Sequence, residues 1–317
     1  MKRRSLLALA LTALAMLFAL TACASTNQNT TNATELSSMP KIEGITYHGD
    51  VPKNPKKLVN FAYSYTGYLL QLGIDVSSYS LANEKDNPAF GDKLKDAVQL
   101  TADDTEAIAA QEPDLIIVFA GNDNIDKLKE IAPVIEITYG KADYLQMMTD
   151  LGQIFDKEEE AQAWLNAWEQ KVADAKNELQ DVVSTDTTFT ILDFFDKQIT
   201  VYGDNFGRGG ELIYDALGFA APQAIQTDVI DKDGWLSISQ EKLPTYAGDY
   251  LVMDVKEDTK EAAASLKESD IYQNLEAVKN NHVLELDHNL FYFSDPMSLD
   301  QQIDVFVKTL KDTAGSN

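Results

Sequence analysis

Beyond its first few residues the chain has a single arginine, Arg208, which stands in the glycine-rich run Tyr202-Gly203-Asp204-Asn205-Phe206-Gly207-Arg208-Gly209-Gly210-Glu211. A guanidinium is planar, always charged and carries five N–H donors. One arginine in a chain that otherwise uses lysine therefore points to acceptor atoms that an ammonium would not fit. The glycines allow positive φ and close backbone approach to a ligand. The competing reading is a structural arginine that ties two lobes together by a salt bridge. The run has neither the lysine of a phosphate-binding P-loop nor the Gly-x-Gly-x-x-Gly order of a dinucleotide site. Aromatic residues gather at the ends of other apolar runs: Tyr63, Tyr65 and Tyr68, then Phe119, Tyr139 and Phe291-Tyr292-Phe293. Together with Tyr202 and Phe206 they suggest an aromatic-walled cleft around one cation, suited to a bulky, partly apolar, oxygen-rich ligand.

Little else in the chain is equipped for chemistry. Its 317 residues include 26 Lys+Arg against 51 Asp+Glu, a net charge of −25, and 44% are hydrophobic. That describes a folded protein of more than one core. Its field repels phosphate backbones, and no basic run offsets it, so no nucleic acid is expected. One cysteine excludes a disulfide framework, and three histidines (His48, His282, His288) leave little for a metal site, so neither a resident metal nor a cofactor is expected. No Gly-x-Ser-x-Gly elbow occurs, and the many carboxylates read as solvated faces, so no catalytic residue is assigned.

The elements that must position the cleft follow from patterning. Runs at 58–62, 114–119 and 134–137, then at 188–192, 199–202, 250–253 and 283–286, read as strands alternating with helices around largely parallel sheets. Between the two sets, residues 158–183 contain no Gly or Pro and repeat apolar residues at helical spacing. This predicts one amphipathic helix long enough to cross between lobes, with Trp164 and Trp168 packed beneath a lobe. The expected fold is α/β and two-lobed, with a first lobe at 41–157, the joining helix at 158–183 and a second lobe at 184–317.

The N-terminus reads as an export signal. Lys2, Arg3 and Arg4 precede an apolar stretch, and Leu20-Thr21-Ala22-Cys23 resembles a lipoprotein cleavage box. Residues 1–22 are then a signal peptide. Cys23 is the lipidation site, and 23–40 is a flexible tether of Ser, Thr, Asn and Gln. The expected location is the outer face of the cell membrane, held by the lipid alone.

These residues, together with Pro52 to Val59, Glu112-Pro113-Asp114-Leu115-Ile116-Ile117, Gly234-Trp235, Tyr246 to Tyr250 and Ser294-Asp295-Pro296, resemble the iron-siderophore-binding lipoproteins of Gram-positive ABC importers. The closest likeness is to the ferric-hydroxamate (ferrichrome and ferrioxamine) branch. The resemblance implies a two-lobed periplasmic-binding-protein-like fold with the lobes joined by one long rigid helix, and a monomer that holds an Fe(III)-siderophore between them with little closure. The candidate ligand-binding residues are Arg208, Phe206, Tyr202, Tyr292, Phe291, Phe119, Tyr139 and Tyr65. Here Phe206 and Tyr292 stand where the branch often has tryptophan. Glu106 and Glu241 match the positions that dock on the permease, and through it the ATPase. Both also suit the first turn of a helix, where the dipole favours acids regardless of any partner. The alternatives are a haem or cobalamin receptor, with Tyr292 or Met297 as axial ligand, a zinc or manganese receptor, and an exported lipoprotein enzyme.

Overall fold

The computed structural model describes residues 39–195 and 198–315. The expected signal peptide at 1–22, Cys23 and all but the end of the expected tether lie outside them.

The first sheet comprises β1 (Ile45–His48), β2 (Leu58–Asn60), β3 (Val76–Tyr79), β4 (Val98–Gln99), β5 (Leu115–Phe119) and β6 (Val134–Ile137), in the order β1-β6-β5-β2-β3-β4. All neighbours are parallel except β1, which runs against β6. The second sheet comprises β7 (Phe189–Phe195), β8 (Gln198–Tyr202), β9 (Trp235–Ile238), β10 (Tyr250–Val255) and β11 (Val283–Asp287), in the order β11-β10-β7-β8-β9. Here the expectation of largely parallel strands needs correcting. β8 is antiparallel to β7, because two residues between them are too few for a crossover, and β9 is in turn antiparallel to β8.

Both sheets are apolar on both faces, which makes their central strands continuous hydrophobic runs. In β5, Leu115 and Ile117 face the molecular centre, while Ile116 and Val118 face an outer helical layer. In β7, Phe189 and Ile191 face the centre and Leu192 and Phe194 face outward. The sequence suggested more than one core, and the described residues form three apolar clusters. The largest is common to both lobes: Leu58, Ile117 and Ile135 join Phe189, Val252 and Leu284 through Trp164, Trp168, Leu299 and Phe306.

The layer between the sheets is helical. The joining helix is Glu158–Leu179, shorter at its C-terminus than the predicted 158–183. β-branched Val182 and Val183 extend it poorly, and their amides close a turn onto the Leu179 carbonyl. Its 22 residues span about 33 Å. Trp164 and Trp168 are stacked with centroids 5.7 Å apart. Trp168 Nε1 donates to the Tyr144 hydroxyl (3.2 Å) and Trp164 Nε1 to Asp300 Oδ2 (3.1 Å), so this face pins helix Tyr144–Ile154 and the C-terminal helix Pro296–Ala314. The C-terminal helix also meets helix Thr66–Gln71 of the first lobe. There a Cβ on Gly67 would lie 1.8 Å from Asp295 Oδ1, so glycine is what lets the two helices approach. Residues 39 onward consequently form one compact unit.

Candidate functional site

Adjacent parallel strands β2, β5 and β6 end at the same edge of the first sheet and deliver Tyr63, Phe119 and Tyr139 there. This is where open α/β sheets place ligands. From the second lobe come the loop after β8 and the turn after helix His288–Phe291. They enclose a cavity of about 260 Å³ lined by Tyr63, Ser64, Phe119, Tyr139, residues 206–208 and residues 292–294. Ring contacts cross it: Tyr63–Phe119 at 5.0 Å, Phe119–Tyr139 at 6.1 Å and Tyr139–Phe206 at 5.1 Å, the last linking the two lobes.

The 206–209 loop is left-handed throughout, with φ of 68° at Phe206, 72° at Gly207, 58° at Arg208 and 91° at Gly209. Such a conformation costs energy at Phe206 and Arg208 and persists only where the surroundings impose it. The buried Glu211 carboxylate accepts the Gly207 amide on both oxygens (3.2 and 3.1 Å), and Arg208 donates from Nη1 to the Phe206 carbonyl (2.8 Å). The opposing turn is clamped as well. Buried Gln302 donates from Nε2 to the carbonyls of Leu290 (2.7 Å) and Phe293 (2.6 Å), which fixes Tyr292 between them.

Arg208 lies between two rings, its guanidinium carbon 4.1 Å from the Tyr292 centroid and 4.7 Å from that of Tyr202. Behind it stand Asp193 and Asp254, with Arg208 Nε 3.4 Å from Asp193 Oδ2 and 4.0 Å from Asp254 Oδ2. His288 Nδ1 is 2.8 Å from Asp254 Oδ1. Burial alone would lower the arginine's pKa, but Tyr202, Tyr292 and the two carboxylates raise it overall, so the guanidinium stays charged. Burial raises the pKa of Asp193, reinforced by Asp254 and opposed by Arg208. Asp193 and Asp254 lie side by side on neighbouring strands of the second lobe, the lobe that also carries Arg208, so Arg208 is not the inter-lobe bridge of the competing reading.

The residues named from sequence divide accordingly. Arg208, Phe206, Tyr292, Phe119 and Tyr139 line the cavity. Tyr202 is buried behind Arg208 rather than lining it, and Tyr65 lines a neighbouring cavity of about 220 Å³ that shares Ser64, Tyr139 and Ser294 with the first. Phe291 is corrected: it is 0% exposed and belongs to the common core, because its short helix turns it inward while Tyr292 emerges. Met297 is not among the lining residues, which removes one proposed axial ligand for haem. Sequence reasoning missed Ser64 and Ser294 as lining residues and Asp193, Asp254 and His288 as partners of Arg208. The aspartates had a signal: each is an acid inside an otherwise apolar strand, Phe189-Thr190-Ile191-Leu192-Asp193 and Tyr250-Leu251-Val252-Met253-Asp254. Asp193, Asp254 and His288 bring ligand atoms within 4.8 Å of one another, as a metal would require, but Arg208 Nε already faces both carboxylates as their cation.

The arrangement offers aromatic faces, two hydroxyl-bearing serines and guanidinium N–H groups, a surface for enclosing an apolar body with acceptor oxygens. Glu106 and Glu241 are elsewhere, both exposed, in the first turns of helix Thr105–Ala110 and of the short helix Gln240–Lys242.

Comparison with known proteins agrees with this architecture. The Iron(3+)-hydroxamate-binding protein FhuD of Bacillus subtilis (strain 168) is 36% identical over 307 residues, covering 94% of this chain and 95% of that protein. The structure of FhuD2 from Staphylococcus aureus with bound ferrioxamine B matches with a TM-score of 0.75 at 31% identity, covering 82% of this chain and 100% of that one. FhuD from S. pseudintermedius matches with a TM-score of 0.77 at 34% identity, over 83% and 93% of the two chains. The periplasmic binding protein signature matches residues 58–290, and with relatives this similar along nearly its whole length the chain belongs to the periplasmic binding protein family.

Proposed function

We propose that this chain binds an Fe(III)-siderophore of the hydroxamate type between its lobes and delivers it to the permease of an ABC importer. The observation that carries the reading is the aromatic cavity with Arg208 held at its wall, in a chain 36% identical to an iron(3+)-hydroxamate-binding protein. The chelator supplies hard oxygen ligands to the ferric ion, so the protein need only enclose the complex and donate to its outer oxygens. Trp168 bonds Tyr144, which lines the second cavity, so its emission reports on the cleft. Titration with ferrioxamine B or ferrichrome should quench that emission saturably, with a Kd below about 1 μM. Quenching by haem or zinc in place of either chelate would defeat the reading.

The same proposal places the protein, as a monomer, on the outer face of the membrane through a lipid on Cys23, supported by the sequence of the cleavage box. One or two acyl chains are a reversible hold, so Cys23→Ala should release the protein to the medium. Labelling with a fatty acid analogue checks this, and incorporation equal to that of the wild type would exclude Cys23 as the acceptor.

Glu106 and Glu241, exposed and away from the cavity lining, are proposed to meet basic groups of the permease. The double variant Glu106→Ala/Glu241→Ala should bind chelate normally yet lose most iron uptake, because rim charges act on the partner. Normal transport by that variant would leave helix-dipole stabilisation as their whole role.

A further inference from the structure

Among the described residues, Arg208 is the one basic side chain lining either cleft cavity. It faces two carboxylates rather than one. Asp193 and Asp254 are register partners on neighbouring strands, continuing the inward rows Phe189, Ile191 and Tyr250, Val252, and are 3% and 1% exposed. Like charges side by side on a buried sheet face are unfavourable, so the pair persists only with compensation. Arg208 compensates incompletely. Its 4.0 Å approach to Asp254 Oδ2 is too long for a hydrogen bond, and that buried oxygen has no hydrogen-bond partner among the described residues. Arg208 is thus one fixed cation set against two carboxylates, with His288 Nδ1 2.8 Å from Asp254 Oδ1. Among the described residues the adjoining cavity adds Asp143, Asp204, Glu211 and Asp215 and no lysine or arginine.

We infer that Asp193 and Asp254 set the charge specificity of the cleft: by cancelling the charge of Arg208 they leave it as a hydrogen-bond donor and make the site reject anionic ferric chelates while accepting neutral ones. The inference rests on the proposed siderophore function and deepens it. Orienting one guanidinium needs only one carboxylate. The second supplies excess negative charge in a low-dielectric setting, where it acts over the width of the cavity. Ferric chelates differ in the matching respect. Three singly charged hydroxamates exactly offset the ferric charge, whereas three doubly charged catecholates leave a trianion with a similar all-oxygen coordination sphere. A receptor that met its ligand with an unopposed arginine would favour the trianion, and this one does not present such an arginine.

The test uses wild-type protein with the isosteric variants Asp254→Asn and Asp193→Asn. Each is titrated with neutral ferrichrome and with a trianionic ferric tris-catecholate, and each is melted thermally. The wild type should prefer the neutral chelate by about a hundredfold or more. Each variant should narrow that preference by about tenfold, because the trianion responds to the lost negative charge more strongly than the neutral chelate does. An unchanged preference in a variant that melts like wild type overturns the inference and leaves the aspartates as supports for Arg208. A wild type that binds both chelates equally overturns it without recourse to any variant. Failure of the wild type to bind ferrichrome at all overturns the siderophore function along with it.

Discussion

Replacing Arg208 with alanine is expected to weaken binding of a ferric tris-hydroxamate by about one to two orders of magnitude. A hydrogen bond from a charged donor contributes roughly 1.5 to 3 kcal/mol, which converts to that range. The substitution also removes the cation held between Tyr202 and Tyr292, so the ring at the cavity wall loses its backing. Arg208→Lys should recover only part of the loss, since an ammonium cannot reach Asp193, the Phe206 carbonyl and a ligand oxygen in one plane. Stability should fall as well, because alanine leaves two buried carboxylates facing each other. The fall has a definite pH dependence. The folded pKa of Asp193 already lies above its unfolded value, and loss of Arg208 raises it further. The folded state then binds more protons than the unfolded one, so stability declines as pH rises through that window and recovers below it. Melts of the alanine variant should therefore approach wild type near about pH 4 and separate from it at neutral pH. Affinity equal to wild type would take Arg208 out of the ligand site, whatever its effect on melting.

How much of this could be read from sequence depended on whether the signal was local. Arg208 was visible by its rarity, and the central strands at 115–119 and 250–255 by their unbroken apolar runs, a consequence of burial on both faces. Strands Ile45–His48, Val98–Gln99 and Trp235–Ile238 escaped notice because they are sheet edges, half solvated and short; Val76–Tyr79, one strand in from an edge, was hidden by its two serines. Glu106 and Glu241 were placed in first turns, which the capping pattern alone also predicts. Asp193 and Asp254 carried a signal that charge counting discarded. An acid flanked by apolar residues in a strand has nowhere to go but the core, and a buried charge needs a partner. What no local pattern contains is register. That Asp193 lies beside Asp254, and that a loop at 206–209 meets a turn at 291–293, follows only from the way distant segments pack.

The meeting of that loop and that turn makes Gly207 the most constrained position of the site. A Cβ there would lie 2.1 Å from the Tyr292 carbonyl oxygen, and the residue has φ of 72°. Neither side can yield cheaply. The loop is held by the two bonds from the Gly207 amide to Glu211, and the turn by the two bonds from Gln302. Gly207→Ala should therefore destabilise the protein by about 2 to 5 kcal/mol, the sum of a left-handed alanine and an overpacked contact. It should also weaken chelate binding by at least about tenfold, since Phe206, Arg208 and Tyr292 shift together and misplace the donor that a ligand oxygen must meet. Gly73 provides the control: it has φ of 75°, but nothing lies within 4 Å of its added Cβ. Gly73→Ala should show the backbone cost alone, about 1 to 2 kcal/mol, with affinity unchanged. Urea melts and fluorescence titrations of the two variants separate conformational strain from steric contact. If they lost equal stability and bound chelate equally well, the close approach of loop to turn would have no part in positioning Arg208.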